Sequence, residues 1–155
     1  KTVTERYYSP YDKTHPMVTR AAWGFGIETG TQAVRLILSG IFDRYPKLKI
    51  FLGHFGEAIP FWLPRIHESF TRPGNEHIDF KRIFKENFWI TTSGFFSDNA
   101  LELCLKVLNA EKILFAVDWP YANNKVGVDW LANAPIDKHT KKLIFSENAQ
   151  NLFNL

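Results

Sequence analysis

Three short segments rich in branched or aromatic residues predict β-strands, at positions 48–54, 87–93 and 112–118. Two of them are nearly continuous apolar runs, which is typical of strands that other elements cover on both faces. A helical pattern separates each segment from the next, so the strands are expected to run parallel and to be joined by right-handed crossovers. The predicted fold class is therefore α/β.

The helices are indicated by apolar spacing and by capping residues. Residues 28–42 place five apolar side chains on one helical face: Ala33, Val34, Ile37, Leu38 and Ile41. A second helix follows Ser97 or Asp98, either of which can cap its amino end, and a third follows Asp137. Residues 146–153 predict a last short helix with its apolar end packed inward.

The chain has 155 residues, of which 45% are apolar, and this composition is typical of one globular domain with a buried core. The net charge of +3 comes from acidic and basic residues mixed along the chain, so no basic stripe predicts a nucleic-acid partner. No apolar stretch reaches the roughly 18 residues of a membrane helix. With one cysteine, Cys104, no internal disulfide can form, and a cytoplasmic location is expected. We expect Cys104 to be a buried, unreactive thiol on a helix face.

Polar residues stand where the predicted strands end. His54 ends the first apolar run, Thr92 and Ser93 end the second, and Asp118 ends the third. In parallel α/β sheets, side chains that carry out chemistry gather at the carboxyl ends of the strands and in the loops that follow. These residues are therefore expected to meet at one rim of the sheet.

The first candidate for chemistry is the segment Gly53-His54-Phe55-Gly56-Glu57. If Glu57 begins a helix, its carboxylate can reach back toward His54 and raise the basicity of the ring, which would build a general base. The alternative is a histidine that only hydrogen-bonds in the core, beside a carboxylate that starts a helix. The two glycines permit tight turns or close approach of a ligand, which favours the first interpretation.

The second candidate is Asp118, at the end of an apolar strand. A buried carboxylate there needs a cation, a metal ion or hydrogen bonds. Alternatively, Asp118 only caps the turn that precedes Pro120. Arg65 is a candidate anion clamp if it points to the same rim, and otherwise a surface arginine. No local motif assembles a complete metal site, so further metal ligands would have to come from elsewhere.

Taken together, residues 50–57, 87–94 and 113–121 resemble one family, the amidohydrolase-related decarboxylases. The similarity is to the γ-resorcylate decarboxylase branch and to the aminocarboxymuconate-semialdehyde decarboxylases. It implies a TIM (β/α)8 barrel with one divalent metal ion, Zn or Mn, at its carboxyl-end mouth. Three strands are too few for such a barrel, so residues 23–155 are expected to form its strands six to eight. Residues 1–22 are then a loop that enters from a missing amino-terminal half.

The resemblance also implies roles for individual residues. Asp118 takes the place of the aspartate that binds the metal ion and handles a proton, while His54 and Glu57 take the places of the catalytic histidine and its carboxylate partner. Arg65 and Tyr121 fall on positions that lie near the substrate. The remaining metal ligands of the family have no counterpart in this chain and are expected outside it.

The implied activity is metal-dependent, non-oxidative decarboxylation of a hydroxylated aromatic or related unsaturated carboxylic acid. A metal-dependent hydrolase of a lactone, ester or amide is the alternative enzyme, because the same base and metal-bound water can attack an acyl carbon. A catalytically inert fragment is the second alternative. The partners expected are a small aromatic acid, the missing half of the barrel and further copies in a homo-oligomer.

Overall fold

The computed structural model describes residues 2–155 of the chain. At its centre is a parallel three-stranded sheet in the order β1-β2-β3, made of β1 (Ile50–Leu52), β2 (Phe88–Thr91) and β3 (Ile113–Leu114). Helices precede β1, separate the strands and follow β3. The predicted α/β class and the predicted parallel direction of the strands are confirmed.

The helical segments are, in chain order, α1 (Gly24–Leu38), α2 (Ile41–Arg44), the left-handed turn α3 (His54–Glu57), α4 (Ile59–Phe70), α5 (Phe80–Asn87), α6 (Asp98–Val107), α7 (Asn124–Asn133), α8 (Lys138–Lys142) and α9 (Asn148–Phe153). Helical turns of 3-10 or π type occupy Thr4–Tyr8, Ser9–Tyr11, Pro16–Thr19, Ala110–Lys112 and Leu143–Glu147. Within residues 2–22 the chain thus forms three short turns, which contain no buried residue. None of the helices in residues 2–155 has the length and hydrophobicity needed to cross a membrane.

The helix ends show which of the sequence signals are used. Ser97 caps α6 by accepting a hydrogen bond from the Ala100 N–H, and Asp137 caps α8 through the Thr140 N–H, as predicted. The predicted helix 28–42 is in fact two helices. Gly40 adopts a left-handed conformation with φ 69° between α1 and α2, and this conformation breaks a helix.

The inward packing predicted for the apolar end of the last helix is wrong. Phe153, the last residue of α9, is 53% exposed and only stacks on the Phe51 ring, with the centroids 5.7 Å apart. The buried end is the amino end, where the Asn148 amide donates hydrogen bonds to the carbonyl oxygens of Ala110 and Ile113. Because this polar anchor fixes the start of α9, its apolar end runs outward.

One face of the sheet forms the core. Phe88 and Ile90 of β2 are fully buried, and the Phe88 ring packs on those of Phe42 and Phe84 at centroid distances of 5.4 and 5.1 Å. Side chains alternate between the faces of a strand, and Phe51 pairs with Trp89, which stands between Phe88 and Ile90, so Phe51 belongs to the opposite face. It is 40% exposed, and this face is therefore less covered than the apolar runs predict.

The third strand ends earlier than the predicted segment 112–118. Beyond Leu114 the Thr92 hydroxyl replaces the backbone hydrogen bonds of a regular β-ladder. It donates a hydrogen bond to the Ala116 carbonyl and accepts one from the Ala116 N–H. The Gly94 N–H then donates to the Val117 carbonyl. These bonds keep the chain that leads to Asp118 beside the end of β2 without a regular strand.

Candidate active site

The turn that follows β1 winds in the left-handed direction. All five residues from His54 to Ala58 have positive φ, between 46° and 80°. Glu57 therefore does not begin the following helix, so the condition considered for its reach toward His54 is not met, and α4 begins at Ile59. At Gly56 a side chain is excluded, because a Cβ there would lie 2.9 Å from Ile90 Cγ2. Left-handed turns of L-residues cost about 1–2 kcal/mol per residue, so surrounding packing must hold this one in place.

This turn brings His54 and Glu57 together. Glu57 Oε1 lies 2.6 Å from His54 Nδ1, and the Glu57 side chain is only 5% exposed whereas that of His54 is 32% exposed. The hydrogen bond to Glu57 raises the pKa of His54 above its ordinary 6.5, and the charges of Glu57 and Asp118 add to this rise while burial opposes it. The imidazole is thereby favoured in its protonated form.

Asp118 approaches the other side of the ring. Its Oδ2 lies 3.6 Å from His54 Nε2, and its backbone is left-handed with φ 73°. The turn beyond it is closed by the Asp118 backbone carbonyl, which accepts from the N–H groups of Tyr121 and Ala122. In the described residues the Asp118 carboxylate makes no hydrogen bond to that turn, so the side chain faces His54 and does not act as a cap.

The end of the middle strand contributes two hydroxyl groups. The Oγ atoms of Thr91 and Ser93 are 2.5 Å apart. A Cβ at Gly53 would lie 3.8 Å from Ser93 Cβ and 3.9 Å from Glu57 Oε1, which places Ser93 beside the Glu57–His54 pair. Its strand-end position predicted Ser93 at this rim, whereas the sequence assigned it no chemical role.

An aromatic side chain from α1 also belongs to the site. The Phe25 ring meets the His54 ring edge-on, with the centroids 6.3 Å apart. Phe25 is 58% exposed, and its position beside His54 depends on the packing of α1 against the turn after β1. Sequence reasoning assigned it no role, because nothing in the local pattern relates α1 to His54.

The structure does not link the side chains of the two predicted substrate-binding residues to those of His54, Glu57 or Asp118. Arg65 is exposed on α4, where its guanidinium lies 5.9 Å from the Trp62 ring centroid. Tyr121 follows Asp118 closely in the chain and is 88% exposed. Within residues 2–155, neither side chain forms a hydrogen bond or ion pair with the three central residues, and their roles remain predictions.

Cys104 has the surroundings expected of an inert thiol. It is 1% exposed on α6, and its Sγ lies 3.7 Å from the Phe55 carbonyl oxygen. Burial raises the pKa of the thiol to about 12. The predicted burial is confirmed, and the thiol stays protonated at neutral pH.

The donor groups fit one part of a metal site. Carboxylate oxygen and imidazole nitrogen are common ligands of Zn²⁺, and carboxylates suit Mn²⁺. The Asp118 carboxylate, 36% exposed, is free to bind a cation, whereas Glu57 Oε1 is already bonded to His54. In the part of the chain that the structure describes, no cluster of three metal-binding side chains is present. The residues therefore fit a metal ion only as a partial ligand set.

The amino-acid sequence of this chain is similar to those of known proteins. A family model described as Amidohydrolase matches residues 9–155. The gamma-resorcylate decarboxylase of Polaromonas sp. (strain JS666) is 41% identical over 146 residues, which cover 91% of this chain and 45% of that protein.

Solved structures show the same similarity. A dihydroxybenzoic acid decarboxylase from Polaromonas sp. JS666, with bound manganese and the inhibitor 2-nitroresorcinol, has a TM-score of 0.86 and 40% identity, over 94% of this chain and 45% of that one. The 5-carboxyvanillate decarboxylase of Sphingomonas paucimobilis has a TM-score of 0.84 and 41% identity, over 95% and 46%. This chain spans about half the length of the relatives it matches. The chain belongs to the amidohydrolase family, and the similar proteins named above are decarboxylases.

Proposed function

We propose that the protein carrying this chain is a metal-dependent, non-oxidative decarboxylase of a hydroxylated aromatic acid. The observation that carries the proposal is the position of His54, whose two ring nitrogens face Glu57 and Asp118 at the carboxyl end of the sheet. Similarity to decarboxylases over more than 90% of the chain supports it. This chain would supply strands six to eight of a (β/α)8 barrel, and the other strands and metal ligands would come from outside it. A homo-oligomer and a cytoplasmic location remain part of the proposal.

The reaction must replace a carboxylate on a ring carbon by a proton. Direct loss of CO2 would leave the electron pair of the broken bond on that carbon as an unstabilised anion. Protonation of the carbon first avoids this, because the electron pair then returns to the ring as CO2 leaves. A divalent cation, when bound, would hold the substrate carboxylate and the adjacent hydroxyl oxygen and withdraw electron density from them. The manganese of the Polaromonas structure favours Mn over Zn.

Asp118 is the residue proposed both to ligate the metal ion and to carry the proton. Its carboxyl group would donate a proton to the ring carbon, and the ring would keep that proton when the bond to CO2 breaks. Its 36% exposed side chain leaves room for a substrate on the side away from His54. Asp118 would then recover a proton from its neighbour.

His54 is proposed as that proton source. The hydrogen bond that Nδ1–H donates to Glu57 Oε1 fixes the ring and raises the pKa of His54, so that Nε2 carries a proton toward Asp118. The separation of 3.6 Å is longer than a hydrogen bond, and catalytic hydrogen bonds commonly tighten once the substrate is bound. Glu57 acts by positioning the His54 ring, and His54 transfers the proton to Asp118.

Arg65 and Tyr121 are proposed to bind the substrate. Tyr121 lies in the turn whose first residue is Asp118, which supports a place near the same mouth. Arg65 lies on α4, the helix that follows the His54 turn, and a guanidinium suits an aromatic carboxylate. Their exposed side chains leave both of them free to turn toward a ligand.

The test uses the protein that carries this chain, loaded with Mn²⁺ and with its bound metal counted. It is incubated with 2,6-dihydroxybenzoate, and resorcinol and CO2 are measured; a lactone and an aryl ester are assayed in parallel. We expect equal amounts of resorcinol and CO2, with about one metal ion per active site. Hydrolysis of the lactone or ester without decarboxylation would favour the hydrolase, and a metal-free protein without turnover would favour an inert fragment.

A further inference from the structure

The Glu57 carboxylate is held between two elements. Its Oε1 lies 2.6 Å from His54 Nδ1, and its Oε2 lies against the first turn of α1. A Cβ at Gly26 would stand 2.8 Å from Oε2 and 3.9 Å from Cδ of Glu57, and beyond its chain neighbours and the adjacent backbone of α1 it would meet no other atom within 4 Å. The hydrogen atom of Gly26 therefore faces only the carboxylate.

We propose that Gly26 is a positioning residue for the Glu57–His54 pair, because the absence of a side chain at this place lets the carboxylate reach Nδ1. The effect on catalysis rests on the proposed function, whereas the effect on the His54–Glu57 hydrogen bond does not. The proposal gives α1 a part in the site, alongside the contact of Phe25 with the His54 ring.

Glycine is an unfavourable residue for a helix, so its presence at position 26 calls for a structural explanation. Gly26 is the third residue of a fifteen-residue helix, and glycine favours a helix less than alanine does. The backbone does not require it, since Gly26 is not among the residues with positive φ. Its one tertiary neighbour at Cβ distance is the Glu57 carboxylate. The amino end of a helix is also a favourable environment for a negative charge.

Replacement by alanine should move the carboxylate and leave the helix in place. The two oxygens share one carbon, so displacing Oε2 from the Gly26 side also moves Oε1. Oε1 cannot come closer to His54, because 2.6 Å is already a short hydrogen bond. The carboxylate must therefore rotate or withdraw, and the bond to Nδ1 lengthens or breaks.

Gly30, one turn further along α1, offers a matched comparison. A Cβ there would lie 3.1 Å from the Glu57 carbonyl oxygen and 3.7 Å from Glu57 Cβ. These atoms belong to the tightly wound backbone of the turn or lie next to it, and they cannot rotate away as a carboxylate can. Gly30→Ala should disturb packing, whereas Gly26→Ala should disturb the hydrogen bond.

The experiment compares Gly26→Ala, Gly30→Ala, Glu57→Ala and the double variant Gly26→Ala/Glu57→Ala in the Mn²⁺-loaded protein that carries this chain. Three readouts are measured: kcat and KM with 2,6-dihydroxybenzoate, the melting temperature, and the proton NMR resonance of His54 Nδ1–H, the last in metal-free samples because paramagnetic Mn²⁺ broadens the resonances of nearby protons. For Gly26→Ala we expect kcat to fall about tenfold or more, because a small misplacement of catalytic groups is costly, while KM changes by less than about twofold. The melting temperature should stay or rise, and the Nδ1–H resonance should move upfield as the hydrogen bond weakens.

The double variant separates positioning from a general effect on the fold. Without the Glu57 carboxylate, Gly26→Ala should lower kcat by less than about twofold further, since contacting residues are non-additive in such a cycle. Equal loss in both backgrounds, an unchanged Nδ1–H resonance, or a melting temperature as low as that of Gly30→Ala would overturn the proposal. If the unmodified protein does not decarboxylate the acid, the proposed function fails, and the Nδ1–H resonance still decides the role of Gly26.

Discussion

His54 Nε2 and Asp118 Oδ2 are 3.6 Å apart, although the two residues follow the outer strands of the sheet, on either side of β2. Neighbouring strands lie about 4.8 Å apart, so the two side chains must meet across the end of β2. The residue there is Gly94, where a Cβ would lie 2.9 Å from Asp118 Oδ2. The contact therefore depends on a glycine at the end of the middle strand.

Gly94→Ala should separate the two groups. Alanine is also strained at the Gly94 φ of 58°, which adds about 1 kcal/mol of destabilisation to the displacement of Asp118. We expect turnover of the full protein to fall about tenfold or more, since misplaced catalytic groups react slowly. Steady-state kinetics and chemical denaturation measure the two effects, and unchanged kinetics would show that the position of Asp118 does not depend on Gly94.

His54→Asn should remove the proposed proton source and retain the fold. A positioned acid or base contributes about 100-fold or more, so we expect kcat to fall by at least that factor. The exposed His139 on α8 provides a control, because His139→Asn lies outside the site and should leave kcat unchanged. A loss below about threefold for His54→Asn would make His54 a packing residue.

The His54–Glu57 pair should make stability depend on pH. The pKa of His54 is raised by the hydrogen bond to Glu57, and to a smaller extent by Asp118, so the folded protein binds the proton more tightly than the unfolded chain. This stabilisation is complete below the ordinary 6.5 and is lost as the pH rises through the raised pKa.

The free energy of unfolding, measured by urea denaturation, should therefore differ more between the unmodified protein and His54→Asn at about pH 6 than at about pH 9. His139→Asn again serves as the control. A difference that grows toward alkaline pH would contradict the assigned sign, because His54 would then be held in its neutral form.

Cys104 should be inert until the fold opens. With the pKa of its buried thiol raised to about 12, almost no thiolate exists near pH 8, and reagents cannot reach the 1% exposed side chain. We expect no alkylation by iodoacetamide in the folded protein and complete alkylation in urea, as measured by intact mass. Rapid alkylation of the folded protein would show that α6 opens readily.

Much of the fold follows from the sequence, because apolar periodicity and capping residues act locally. The presence of three strands and the caps Ser97 and Asp137 were predictable for this reason. The early end of β3 was not, because it depends on a hydroxyl of Thr92 that replaces ladder hydrogen bonds with Ala116. The sequence around Thr92 does not indicate that its side chain will form hydrogen bonds to the backbone of a neighbouring segment.

The site was partly predictable for a related reason. Strand-end positions and the spacing of His54 and Glu57 predicted their approach, which the structure shows at 2.6 Å. The left-handed winding that produces it was missed, since only Gly56 in the turn indicates positive φ. The closeness of Gly26 to Glu57 depends on how α1 packs, although a glycine near the start of a helix was a usable signal.

Asp118 is proposed both to ligate the metal ion and to supply the proton. These two roles are tested by comparing the Mn²⁺-loaded protein with its Asp118→Asn variant, following CO2 release from 2,6-dihydroxybenzoate and counting bound metal in the same samples. We expect turnover in the unmodified protein, and no detectable turnover with weaker metal retention in the variant. An Asp118→Asn protein that releases CO2 at a near-normal rate would contradict this proposal.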